Sequence, residues 1–149
     1  MPNNYSSQRS NSVPEPSMAA SSHLQLEAPL PRDLFSTQAE EAAKRCASRV
    51  DCNKSTQIRR FYDELVMWAE DVAKVPEAER SARFAEVEPY IQMIQAKAAY
   101  AFARKLVDES FLSLIKELIS RIRTPESLEN AKLFFEAFLG FKKFYEERG

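Results

Sequence analysis

From residue 55 to the end of the chain, apolar positions recur three and four apart, the spacing that lays side chains along one face of an α-helix. Ile58, Phe61, Tyr62, Leu65, Trp68, Ala69 and Val72, with Val66 beside them, predict a strong amphipathic helix to about residue 74, capped by Ser55 or Thr56. Ile91, Ile94, Ala98, Ala101 and Phe102 predict another, opened by Pro89 at a first turn that needs no N–H. Phe111, Leu114, Ile115, Leu118, Ile119 and Ile122 predict a third, after a bend at which Asp108 is the cap. A single helix over 89–123 is the other reading of that stretch. Thr124 as cap and Pro125 at the first position open a last helix to about residue 147, with Leu128, Ala131, Phe134, Phe135, Phe138, Phe141 and Tyr145 on its core face.

Two stretches are weaker. A thin stripe of Ala42, Ala43, Cys46 and Val50 predicts a peripheral helix from a cap at Ser36 to about residue 50, and residues 76–88 read as a turn or two of helix plus loop. Short connections make neighbouring helices antiparallel, so the expected fold is all-α, a compact bundle of about five helices over residues 36–149. Composition agrees: the 149 residues include only two glycines, too few for the tight turns of a sheet protein, and ten phenylalanines to fill a core. Residues 1–35 differ. They hold five of the eight prolines, seven serines and three asparagines without any period, so a disordered Ser/Pro-rich tail is expected there, with Leu24, Leu26, Leu30, Leu34 and Phe35 as candidates for docking. Gly140 inside the last helix costs about 1 kcal/mol relative to Ala. It marks either a close helix crossing or a backbone approach by RNA near Lys142 and Lys143.

Charge adds a second face to the central helix. Lys97, Tyr100 and Arg104 stand at i, i+3 and i+7, so two cations flank one aromatic ring on the side away from the apolar stripe. Lys54, Arg59 and Arg60 crowd the start of the helix at 55–74, where positive charge opposes the helix dipole. Pairing of Arg59 or Arg60 with Asp63 or Glu64 one turn on is the competing structural account. The net charge is only −1, so any anion-binding surface is local: residues 97–123 carry six Lys or Arg against three acids.

Three phrases occur in order: NKSTQIRRFYDEL at 53–65, QAKAAYAFARKL at 95–106 and AKLFFEAFLGFKKFY at 131–145. Over residues 53–149 the chain resembles the small subunit of type III-A CRISPR-Cas (Csm) interference complexes; the tail and the helix at 37–50 depart from that pattern. The resemblance implies a non-catalytic helical protein of antiviral defence, present in several copies beside the backbone and large subunits, holding guide RNA paired with target RNA. Carried over residue by residue, it marks Arg59, Lys97 and Arg104 as contacts to RNA phosphates, with Lys54, Arg60 and Lys142 as second choices. Such a subunit must accept any sequence, so backbone and shape contacts suffice and base pairing supplies the selection. About three phosphates per copy give a salt slope of roughly −2, and an array multiplies a contact that is weak alone. The alternative is a helical protein–protein adaptor or dimerisation module that touches no RNA.

The other chemistries find little support. The single histidine, His23, falls in the tail, and the adjacent acid pairs Asp63-Glu64 and Asp108-Glu109 diverge by about 100° on a helix, so no catalytic site is expected. Cys46 and Cys52 have neither zinc-knuckle spacing nor a second ligand pair; no metal and no cofactor are expected, and free thiols or a local disulfide remain the two readings of that pair. The first 30 residues contain no apolar leader, and nowhere do about 18 uncharged apolar residues run together, so a cytoplasmic location without membrane partners is expected.

Overall fold

The computed structural model describes residues 24–47 and 51–148, with side chains to residue 147. Among these, six helices and no strand are found: α1, Ala39–Arg45; α2, Ser55–Ala73; α3, Arg80–Gln92; α4, Ile94–Ala103; α5, Glu109–Ser120; and α6, Pro125–Arg148. Only Met93 separates α3 from α4, so the pair replaces the single central helix of an all-α bundle of about five. A wide turn, Leu34–Gln38, leads into α1, and a short tight one, Glu77–Glu79, leads into α3.

The core follows the heptad-like stripes. Ile58, Phe61, Leu65, Ala69 and Val72 of α2 and the six predicted residues from Phe111 to Ile122 are all buried, with Leu128, Ala131, Phe134, Phe135 and Phe138 of α6. The α6 helix is the hub, packing on α1 and α2, while α4 packs on α5. Phe111 is in ring contact with Phe61 at 5.4 Å, Phe135 at 6.5 Å and Phe138 at 6.4 Å, joining three helices.

Several boundaries differ from expectation. Pro89 lies inside α3 rather than at a helix start, because Phe84 and Val87 continue the Ile91–Ile94 stripe backwards through it and their burial outweighs the lost N–H. Phe102 is exposed, as the stripe at 91, 94, 98 and 101 leaves it one position off the face. The bend is real: α4 ends at Ala103, and Asp108 caps α5 by accepting from the Phe111 N–H at 3.0 Å, which rules out one continuous helix. Thr124 caps α6 through its Oγ1, which accepts from the Ser127 N–H at 3.0 Å. Ser36 is not a cap but sits in the turn before α1, and Lys54 rather than Ser55 or Thr56 occupies the N-cap position of α2.

The tail boundary also moves. Leu24, Leu26 and Leu34 are buried in the common core; the Leu24 N–H donates to Glu117 at 3.2 Å, and the Asn130 side chain donates to the Leu26 carbonyl at 2.9 Å. Residues 24–35 therefore belong to the bundle, held by isolated leucines that no periodic pattern could reveal. The rest of the predicted tail, with His23, lies outside the described residues. Cys46 is a free thiol, and burial pushes it up to about 12, so it stays protonated and unreactive.

Gly140 makes no close crossing: a Cβ added there would meet nothing within 4 Å. Gly140→Ala is therefore expected to raise stability by about 1 kcal/mol, the helix-propensity difference. A rise in the urea midpoint at unchanged slope would confirm it, and a fall would show that the position must lack a side chain.

Candidate nucleic-acid interface

The α2 and α4 helices both contribute to one surface depression, and their register decides which cations meet there. Arg60 and Glu64 are one turn apart on α2; Lys97, Tyr100 and Arg104 are successive outward positions on α4 and its C-cap. All five line one open depression of about 230 Å³, floored by Phe61, Ala101 and Leu106. The face read from the Lys97-Tyr100-Arg104 spacing thus exists as a surface, and α2 supplies its other wall.

Within it the charges are unequal. The Lys97 ammonium donates to both Glu64 carboxylate oxygens at 2.9 Å, tying α4 to α2. The Arg104 guanidinium lies over the Tyr100 ring, 5.7 Å from its centroid, and Tyr100 is 64% exposed. Neither Arg104 nor Arg60 has an acid within 4.0 Å among the described residues. Arg104 and Lys105 follow the last turn of α4, where the helix dipole favours positive charge. Lys105 adopts a left-handed backbone (φ 64°) and is exposed; adjacency to Arg104 was the one sequence signal for it.

The end of the depression is fixed by a buried knot. Asn53, fully buried with φ 56°, donates its N–H to the Leu106 carbonyl at 2.9 Å and accepts from the Asp108 N–H at 2.9 Å through Oδ1. Its own carbonyl accepts from Lys142 Nζ at 3.0 Å. The ammonium of Lys142 also holds the Glu146 carboxylate, which in turn accepts from Ser55 Oγ at 3.0 Å beside the start of α2. These bonds join the α4–α5 connection, the start of α2 and the last turns of α6.

The family model described as Csm2 Type III-A matches residues 31–148. The chain belongs to that family. It is accordingly a small subunit of type III-A CRISPR Csm complexes, and other Csm subunits are its partners. No curated protein and no solved structure matches it. Because the Csm2 match begins at residue 31, α1 falls within the family pattern, against the expectation that the resemblance starts at 53. Among the described residues no helix is long and apolar enough to cross a membrane.

In this Csm2-family chain the sequence-predicted contacts divide into four groups. Lys97 and Arg104 are brought together, and Arg60, a second choice, faces them. Arg59 is turned aside: it pairs with Asp63 at 3.7 Å on its own helix and lies over the Tyr62 ring, which packs on Phe135 of α6. Lys54 is exposed and immediately follows Asn53, which is bonded to Leu106, so it flanks the same end of the face. Lys142 is a correction. It is 2% exposed and committed to Asn53 and Glu146, so it braces the fold and offers no cation to a ligand. Sequence reasoning missed Glu64 as the partner of Lys97, because a contact 33 residues away leaves no local mark, whereas the local pairing of Arg60 with Glu64 does not form.

Proposed function

We propose that this chain is a non-catalytic subunit of a cytoplasmic type III-A ribonucleoprotein that holds the backbone of guide RNA paired with target RNA through its α2–α4 face. Several copies act side by side in antiviral defence. The observation that carries the proposal is the convergence of Arg60, Lys97 and Arg104 around Tyr100 in one open depression, with two of the three cations having no acid within 4.0 Å among the described residues. Lys and Arg on a shallow surface contact phosphates without reading bases, which suits a subunit that must accept every guide. An exposed aromatic ring adds sequence-tolerant stacking for any unpaired base.

Lys97→Glu combined with Arg104→Glu tests this. The expected result is intact helical circular dichroism and clearly weakened retention of target RNA by the assembled complex, with a shallower salt dependence. Retention at the wild-type level would refute the assignment of this face. The adaptor reading draws on a different surface, where Tyr90 (58% exposed) stacks on Trp68 at 5.8 Å and Met93 (55% exposed) stands beside it. That patch suits contact with another subunit, and the same double variant separates the readings, since an adaptor would lose nothing.

A further inference from the structure

The strongest unexplained feature of the α2–α4 face is an acid at its centre. Glu64 is an unusual neighbour for a surface that attracts anions, and its geometry is specific. Both of its oxygens lie 2.9 Å from Lys97 Nζ, so the carboxylate chelates the ammonium as a bidentate anion would. It does so in preference to Arg60, four residues earlier on its own helix, where an i,i+4 pair is the ordinary outcome. The Glu64 side chain is 22% exposed and that of Lys97 49%, so the acid is the more deeply seated partner and the lysine reaches in towards it. The depression of about 230 Å³ is several times the roughly 30 Å³ that one water occupies in the liquid, leaving room for a further anion beside Tyr100.

We propose that Glu64 is a built-in competitor for the phosphate seat: its carboxylate occupies Lys97 in the free subunit and must yield that cation to an RNA phosphate. The inference rests on the RNA-binding reading above. A phosphate that enters on Arg60 and Arg104 alone makes two contacts; a third, from Lys97, is made in competition with the Glu64 carboxylate that already holds the ammonium. An isolated phosphate or mononucleotide has no other contact to compensate for that exchange. A phosphodiester chain spanning this subunit and its neighbours does, because each anchored phosphate presents the next at high effective concentration. Glu64 thereby discriminates for long RNA backbones against the small phosphates of the cell. An exposed pair of this kind is worth little, so the exchange changes affinity by a modest factor per copy.

The test uses the full chain and a short fluorescein-labelled single-stranded RNA, titrated by anisotropy over a series of salt concentrations, with inorganic phosphate as competitor. Glu64→Gln keeps the side-chain shape and removes the competing charge. It is expected to tighten RNA binding about two- to fivefold at low salt and to steepen the salt slope by about 0.7, the increment for one more phosphate on a single strand. Inorganic phosphate should compete more effectively with the variant than with the wild type. Glu64→Asp, which withdraws the carboxylate by one methylene, should move in the same direction, and thermal melting verifies that both variants are folded. Equal or weaker RNA binding with an unchanged slope in a folded variant would overturn the proposal and make Glu64 a support that aims Lys97. Failure of the underlying reading looks different: Lys97→Glu with Arg104→Glu would then bind the same RNA as tightly as the wild type.

Discussion

Phe111→Ala is expected to destabilise the protein by about 4 kcal/mol, a large part of the roughly 5–15 kcal/mol that holds a domain of this kind together. The side chain is fully buried and sits in the first turn of α5, where its N–H is already fixed by the Asp108 cap. Its ring is the junction of α2, α5 and α6, touching Phe61, Phe135 and Phe138. Truncation removes the apolar burial and leaves a void between three aromatic rings, which can close only by moving whole helices. Phe111→Leu, which fills much of the same volume, should cost much less. Urea unfolding followed by circular dichroism reads both; a cost under about 1 kcal/mol for the alanine variant would show that the three helices do not share one rigid core.

The helices were legible where burial and local chemistry agree. The stripes of α2 and α5 give period and phase without ambiguity, and Asp108 and Thr124-Pro125 mark the starts of α5 and α6 by caps that reach only three residues along the chain. Pro89 was misread because the rule favouring proline at a helix start is local, whereas the Phe84–Val87 continuation of the apolar stripe is a property of the whole segment. Leu24 and Leu26 could be named only as candidates for docking, for the opposite reason: single apolar residues in a polar stretch acquire meaning only from the surface they meet. Of the candidate interface, the α4 half was visible in the Lys97, Tyr100 and Arg104 spacing. The α2 half was not, since choosing Arg60 over Arg59 requires the rotation of α2 about its axis, which tertiary packing sets. Lys142 had a signal that went unused. Positions 128, 131, 135, 138, 142 and 145 continue one core-facing stripe through α6, so a lysine at 142 was placed by periodicity where only an internally paired cation can sit.

That internal pairing should be the second most sensitive point of the molecule, and it links stability to the interface. Asn53→Ala is expected to cost about 3 kcal/mol: the buried Asp108 N–H loses its acceptor, worth about 1–3 kcal/mol, and a β-carbon without a compensating polar group must hold φ 56°, worth about 1 kcal/mol. Asn53→Gly removes the second cost and keeps the first, so it should recover about 1 kcal/mol. Lys142→Met, which withdraws the ammonium shared by the Asn53 carbonyl and Glu146, is expected to cost about 2–3 kcal/mol. Lys143→Met, at an exposed site paired with Glu147, should stay within about 0.5 kcal/mol. Because the Asn53 N–H holds Leu106 directly behind Arg104 and Lys105, loosening the knot frees the α4–α5 connection from the start of α2. RNA retention by complexes carrying Asn53→Ala should therefore fall even at temperatures where the subunit is fully folded, whereas Phe111→Ala should lose retention only in step with unfolding. Equal retention per folded molecule for the two variants would mean that the cations find their phosphates without being held in place.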